Sequence, residues 1–495
     1  MYIDLLLRTL RCEPSRVVAI DADTGRHTSA AELAELIGRL AYALRETGIT
    51  RDSVVALAAP ITVEALAVRY AAAMLGAATV YCPNAADPGR LAPLLAALAP
   101  DTVIFFPETA ASAHTITNGL SVGPVPGVDV DLLTTGTLTV TEIAHVDPSD
   151  TCVFVSSGGT TGLPKASRRD WVRYTALVDA GPAPDMRQLI CIPLAYLAQS
   201  IADTVLIGGG TVILHRTFEP NQVAHTLQDY QITHVALVEP LLVDLAECES
   251  LPSVRLPALQ AITHIGADAA ASLRARWLSR IGRPVLVHPY GASELGVIST
   301  LSPPEYSLDH PELLSTSGKP VPTVQLRIVD SEGSSCAAGE LGTILIRSPE
   351  QAQGYRVAPP ASGFVDDGWF DTHDIGLLDH AGYLTVKGRA SDMRTINGQS
   401  VFPVDIQNAF CALAHVRYAV AVAASDGADG FGVAVVTDTR VGIAELIEAV
   451  RDRAGEHLVP CTAVIVESMP RTEQGKPDRQ ALTNLLWPSA DRGRT

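Results

Sequence analysis

The stretch VFVSSGGTTGLPK at 153–165 runs an apolar, β-branched strand straight into a loop of small residues, hydroxyls and one lysine. Glycine lets backbone N–H groups come close to a polyanion, Thr160 and Thr161 add hydroxyl donors, and Lys165 adds a positive charge. The segment reads as a phosphate loop on the end of a buried strand. It is not a Walker A loop, because Leu163 and Pro164 separate Gly162 from Lys165 and no Lys-Ser or Lys-Thr step opens a helix. Taken alone, an ordinary glycine-rich turn remains the alternative.

Outward from this strand, short β-branched runs alternate with longer alanine- and leucine-rich patterns through the first 300 or so residues. The runs at 17–20, 54–57, 79–81, 103–106, 212–214, 234–237, 261–265 and 285–287 read as strands. Those at 29–47, 63–76, 89–98, 221–228 and 269–281 read as helices. Such alternation predicts parallel sheets covered by helices. Beyond Ser317 the texture changes to short strands with polar glycine turns, at 324–329, 342–346 and 383–387, which suits an antiparallel meander or small β-barrel-like part. The last hundred residues restart a mixed pattern, with helices at 404–413 and 443–454 and strands near 416–422 and 432–436. The expected architecture is α/β: a large N-terminal domain, 1–389, and a small mobile α+β domain, 390–495, divided at the charged turn 388–392.

A chain of 495 residues is past the size of a single core, so more than one domain is expected. Lys plus Arg number 36 and Asp plus Glu 54, a net charge of −18 that argues against binding nucleic acid or an anionic membrane by bulk charge. The eight cysteines stand apart without a CxxC pair, which fits a reducing cytoplasm. The start MYIDLLLRTLRCEP carries Asp4 and Arg8 and lacks a signal-peptide pattern. The apolar stretch 53–82 carries Glu64 and Arg69 and is cut by Pro60 and Gly76, so it is expected to form buried strands around a helix, not a membrane span. These readings predict a soluble, cytoplasmic protein.

Two further segments carry chemistry of their own. In YGASE at 290–294, an aromatic before a glycine turn and a following carboxylate suit a nucleotide site: Tyr290 can stack on a purine, Ser293 can touch an α-phosphate, and Glu294 offers hard oxygen to magnesium. Lys476 in EQGKPDR stands on a loop punctuated by glycine and proline and is expected to be exposed.

SGGTTGLPK resembles the phosphate-loop signature of the acyl-adenylate-forming superfamily, which includes acyl-CoA synthetases, aryl-acid AMP ligases, adenylation domains and luciferases. Four more segments follow in that family's order: PLAY at 193–196, HPYGASELG at 288–296, GWFDTHDIGLLDHAGYLTVKGR at 368–389, and PRTEQGKPDRQAL at 470–482. The resemblance covers essentially the whole chain. It implies Lys476, Glu294 and Thr161 as catalytic residues, with Glu294 on Mg2+ and Lys476 bridging carboxylate and α-phosphate. It implies Ser157, Gly158, Gly159, Thr160, Thr161, Gly162 and Lys165 around the phosphates, Gly266 and Ala267 beside the adenine, and Tyr290, Gly291 and Ser293 along the nucleotide. Asp374 and Arg389 would take the ribose hydroxyls, Ser391 would be the hinge, and Tyr196, Leu197, Ala292 and Gly296 would line the acyl pocket. The chain departs from the family text at Ala166 and His373, which replace glycines, and at Ser391, which replaces Asp or Lys.

The implied reaction joins ATP and a carboxylic acid to give acyl-AMP and pyrophosphate, then passes the acyl group to the pantetheine thiol of CoA or of an acyl carrier protein. Enzymes for dihydroxybenzoate or salicylate carry His-Asn where this chain has Tyr196 and Leu197, and leucine cannot read an ortho hydroxyl. Asp203 lies too far along to serve as the acid that pairs an α-ammonium. An aromatic or compact hydrophobic acid is expected. Two alternatives stay open, an adenylating enzyme with a non-thiol acceptor, such as one activating nitrite, and a nucleotide-binding relative without turnover.

Overall fold

The computed structural model describes residues 1–113, 119–136, 138–157, 165–266, 269–358, 362–424 and 430–488. Two large sheets form the body. In the first, six strands run parallel in the order Leu286–Ala292, Ala261–Ile265, His234–Val238, Arg187–Ile190, Thr211–Leu214 and Val17–Asp21, with antiparallel strands at both edges. In the second, Thr151–Ser157, Ala78–Tyr81, Val54–Leu57, Thr102–Phe105 and Gly119–Ser121 are parallel. The alternating pattern thus becomes helix-covered parallel sheets, as expected.

The stretch 53–82 folds as strand, helix and strand, and the helix Val63–Met74 buries eleven of its twelve residues. A helix apolar on every side needs cover on every side, and it finds it inside the body. Among the described residues no helix is long and apolar enough to cross a membrane. Its one buried cation, Arg69, reaches both oxygens of Asp203 at 2.9 and 2.8 Å, while Tyr70 and Tyr174 each donate to Asp203 at 2.7 Å. Both charged side chains are fully buried. Asp203 is therefore committed to Arg69 and is closed to a substrate ammonium. The preceding helix, Ala30–Glu46, starts on a capping box in which Glu32 N–H donates to Ser29 Oγ at 3.2 Å and Ser29 N–H donates to Glu32 Oε2 at 2.7 Å.

After Ser317 the chain builds a four-stranded antiparallel meander, Gln325–Val329, Gly342–Arg347, Phe370–Leu378 and Leu384–Arg389. Its third strand carries a bulge: Leu345 faces Asp371 but Thr343 faces Ile375. His373 sits in that bulge at φ 58°. This is the left-handed conformation a glycine adopts freely and a histidine holds at a cost of about 1 kcal/mol. The bulge breaks the register with Gly342–Arg347 on one side, while on the other Asp374 stays paired with Arg389. Residues beyond the meander form a small α+β unit, with the sheet Val416–Ala423, Phe431–Thr437 and Thr462–Ile465 and the helices Pro403–Cys411, Ile443–Ala454 and Arg479–Leu486.

Candidate active site

The strand Thr151–Ser157 returns as Lys165–Asp170, with Ser157 opposite Lys165 across the antiparallel pair. This register places the lysine at the mouth of the loop. Gly158, Gly159, Thr160, Thr161 and Gly162 lie outside the described residues, as do Ala267 and the side chains of Ser157 and Tyr196. Ala166, the first departure from glycine, is fully buried and so points away from that mouth.

Lys165 Nζ stands 3.4 Å from Glu294 Oε1. Glu294 is 4% exposed, a buried acid and not a surface one. Tyr355 donates to its Oε1 at 2.9 Å and Ser293 to its Oε2 at 2.9 Å. Burial pushes the Glu294 carboxyl upward, but Lys165 and the hydroxyls of Ser293 and Tyr355 outweigh it and hold the group below its ordinary value. A charged carboxylate with Lys165 at its edge suits a hard divalent ion that takes its remaining ligands from phosphate oxygens and water. Glu294 is the residue that would hold magnesium here. Tyr355 is a site residue that sequence reading missed; the aromatic placed directly after Gly354 was its only local signal.

Tyr290, Asp374 and Arg389 come together on the next layer. Tyr290 donates its hydroxyl to Asp374 Oδ2 at 2.6 Å, and Arg389 Nε lies 3.0 Å from Asp374 Oδ1. Arg389 also donates to the Thr372 carbonyl at 2.8 Å, which fixes its guanidinium. Burial raises the Asp374 carboxyl above its ordinary value, with Arg389 and the Tyr290 hydroxyl opposing. Such a group has lone pairs to offer vicinal hydroxyls of a sugar. Gly291 is packed so closely that a Cβ would come within 2.4 Å of the Gly296 carbonyl, so the turn before Glu294 admits no side chain there.

Lys476 is not the exposed loop residue that its sequence setting suggested. It is partly buried, and a Cβ built on Gly266 would lie 2.9 Å from its Nζ. Gly266, at φ 97°, supplies both the left-handed turn and the space for the lysine. Loss of water, and secondly the charge of Arg389, lowers the Lys476 pKa from its ordinary value. A cation held at such a place gains from any anion brought beside it.

The acyl-pocket residues are brought together only in part. Leu197 lies in a single wide π turn, Leu194–Ala198, and its carbonyl accepts from Ser200 Oγ at 2.9 Å. Gly296 faces Leu177 and the carboxylate of Glu350, and neither neighbour had been expected from the sequence. Ala292 packs with Leu295, Ile298 and the meander's apolar residues. Ser391 is exposed in the short turn Ala390–Asp392, and the adjacent Asp392 pairs with Arg479.

The AMP-binding enzyme family profile matches residues 6–356. The chain belongs to that family. It is similar to a feruloyl-CoA synthase of Amycolatopsis sp, 27% identical over 461 residues that cover 90% of this chain and 91% of the relative. A salicylyl-CoA synthase / salicylate adenylyltransferase of Streptomyces sp is 30% identical over 365 residues, covering 70% of this chain and 65% of the relative. Among solved structures, the amide bond synthetase McbA of Marinactinospora thermotolerans superposes with a TM-score of 0.84 at 28% identity, covering 98% of this chain and 100% of that one. This family member is an AMP-forming acid ligase, which uses ATP to activate a small-molecule carboxylic acid.

Proposed function

We propose that the enzyme adenylates an aromatic or compact hydrophobic carboxylic acid and then transfers the acyl group to the thiol of CoA. The convergence of Lys476 on Gly266, beside the Tyr290–Asp374–Arg389 trio, carries this reading. A cation whose charge is opposed by burial and by Arg389, close to groups that suit a nucleoside, supports it. In this reading Glu294 holds Mg2+, which neutralises phosphate charge, and Asp374 and Arg389 hold the ribose. Lys476 neutralises charge that builds between carboxylate and α-phosphate. The small domain, 390–495, then turns about Ser391 so that the thiol can reach the acyl-adenylate. A phosphopantetheine carried on a protein presents the same thiol.

A non-thiol acceptor is the second reading, favoured by the full-length likeness to an amide bond synthetase. The experiment measures pyrophosphate release across a panel of carboxylic acids, with CoA, amines and hydroxylamine as acceptors. The products of ATP are expected to be AMP and pyrophosphate. Chromatography that finds ADP and phosphate overturns the adenylation reading, and an amide product without a CoA thioester selects the second.

A prediction about the acid follows from Leu197. A site that hydrogen-bonds a substrate hydroxyl rejects analogues lacking it strongly, whereas an apolar wall selects weakly. Benzoate- or cinnamate-like acids are expected to be used at least as well as their 2-hydroxy counterparts. Leu197→Asn should move the ratio of specificity constants toward the 2-hydroxy acids by about 1 kcal/mol. A parent enzyme that strongly prefers salicylate would show that Leu197 does not face the substrate.

A further inference from the structure

We propose that Asp244 and Arg471 form a clasp between the two domains that positions the Lys476 hairpin for adenylation. The inference rests on the reading of Lys476 given above and concerns how that lysine is held. Residues 470–478 close on themselves: Asp478 N–H donates to the Pro470 carbonyl at 2.9 Å, Thr472 N–H to the Lys476 carbonyl at 2.8 Å, and Gly475 N–H to the Thr472 carbonyl at 2.9 Å. A bridge between Arg471 and Pro477 completes the hairpin. These bonds fix the backbone from which the Lys476 side chain reaches Gly266.

One helix of the large domain, Glu239–Glu247, holds that hairpin at three points, one of them the Pro240 carbonyl, which accepts from Arg471 Nη2 at 3.5 Å. Leu241 packs against the turn at Gly475. Three residues on, Asp244 Oδ2 accepts from Arg471 Nη1 at 2.6 Å at the hairpin's root. Both side chains are 27% exposed, enough burial to fix the pair's geometry while leaving its edge in solvent. The body of the small domain has a separate seam: Arg276 donates to the carbonyls of Val416 and Arg417 at 2.9 Å each, and Arg417 pairs with Glu247. Domain docking therefore survives loss of the clasp, and what changes is the position of the lysine. An error of about 1 Å in placing a charged group can cost up to a hundredfold in rate.

The test is pyrophosphate–ATP exchange, which reads adenylation and is independent of the acceptor. Asp244→Ala and Arg471→Ala should each lower kcat by about tenfold to a hundredfold and change KM for ATP by less than about twofold. The double alanine variant should be no worse than either single one, and the exchanged pair Asp244→Arg with Arg471→Asp should recover most of the rate. Thermal unfolding is followed alongside, with Asp244→Asn as the isosteric variant if an alanine variant folds poorly. Normal kcat in both single variants, additive losses in the double, or a KM effect without a kcat effect overturns the clasp alone. A Lys476→Ala enzyme that still adenylates overturns the reading of Lys476 and the clasp with it.

Discussion

Lys476→Ala is expected to lower the rate of pyrophosphate release by at least about a hundredfold, because preorganised charge at a phosphoryl transition state contributes several kcal/mol. The variant should still fold. The ammonium is held with a lowered pKa by burial and by Arg389, so the folded state disfavours its charge. That opposition to folding is full below the folded pKa and fades as pH rises toward the unfolded value. Lys476→Met, which keeps an apolar stem, should therefore unfold at the same temperature as the parent or higher near neutral pH. KM for ATP should change little, since Tyr290, Asp374 and Arg389 are untouched. The alkaline limb of kcat/KM in the parent should lie below the pH at which an ordinary lysine titrates. A near-normal rate in Lys476→Ala would remove the lysine from the mechanism, and a large loss of stability would show that it holds the domains together instead.

The second large effect is expected at Asp374. Alanine there removes the candidate acceptor for the ribose hydroxyls and leaves the Tyr290 hydroxyl and the Arg389 guanidinium without their shared partner. Unpaired groups of this kind cost about 1–3 kcal/mol each. KM for ATP should rise by about thirtyfold, a loss of about 2 kcal/mol in binding, with a smaller change in kcat. The contrast with Lys476, where kcat carries the loss, separates binding from transition-state stabilisation. Because burial raises the Asp374 pKa, the parent should begin to lose ATP affinity at a higher pH than an ordinary aspartate in that place would give. Asp374→Asn should lack that acid limb. An unchanged KM in both variants would mean that Asp374 serves only to hold Tyr290 and Arg389.

The clearest agreement between sequence and structure is local. The helix expected over 29–47 is the helix Ala30–Glu46, and the alternation of strands with helices became parallel sheets. The phosphate-loop reading falls on residues 158–164, outside the described structure, whereas YGASE does supply a carboxylate, Glu294, that is buried beside Lys165. Residue types at short spacing specify turns, caps and chemical groups, because the atoms involved are covalent neighbours. The amphipathic helix Tyr2–Cys12, with Tyr2, Ile3, Leu6, Leu7 and Leu10 buried, is legible by the same rule.

What meets what was decided by packing. Arg69 and Asp203 lie 134 residues apart, and only the folded body shows that one neutralises the other and that neither faces a substrate. Tyr355 reaches Glu294 across 61 residues, and no local pattern ties that aromatic to that carboxylate. The sequence placed Lys476 on an exposed loop because glycine and proline surround it, yet its approach to Gly266 takes it partly out of water and lowers its pKa. Burial, electrostatics and pKa depend on neighbours brought from elsewhere in the chain. By itself, then, the sequence determined the family's motifs, the α/β layering and the groups available for adenylation. Only the tertiary structure decided which of those groups stand together and in what solvent environment, because desolvation and charge pairing act through space, not along the backbone.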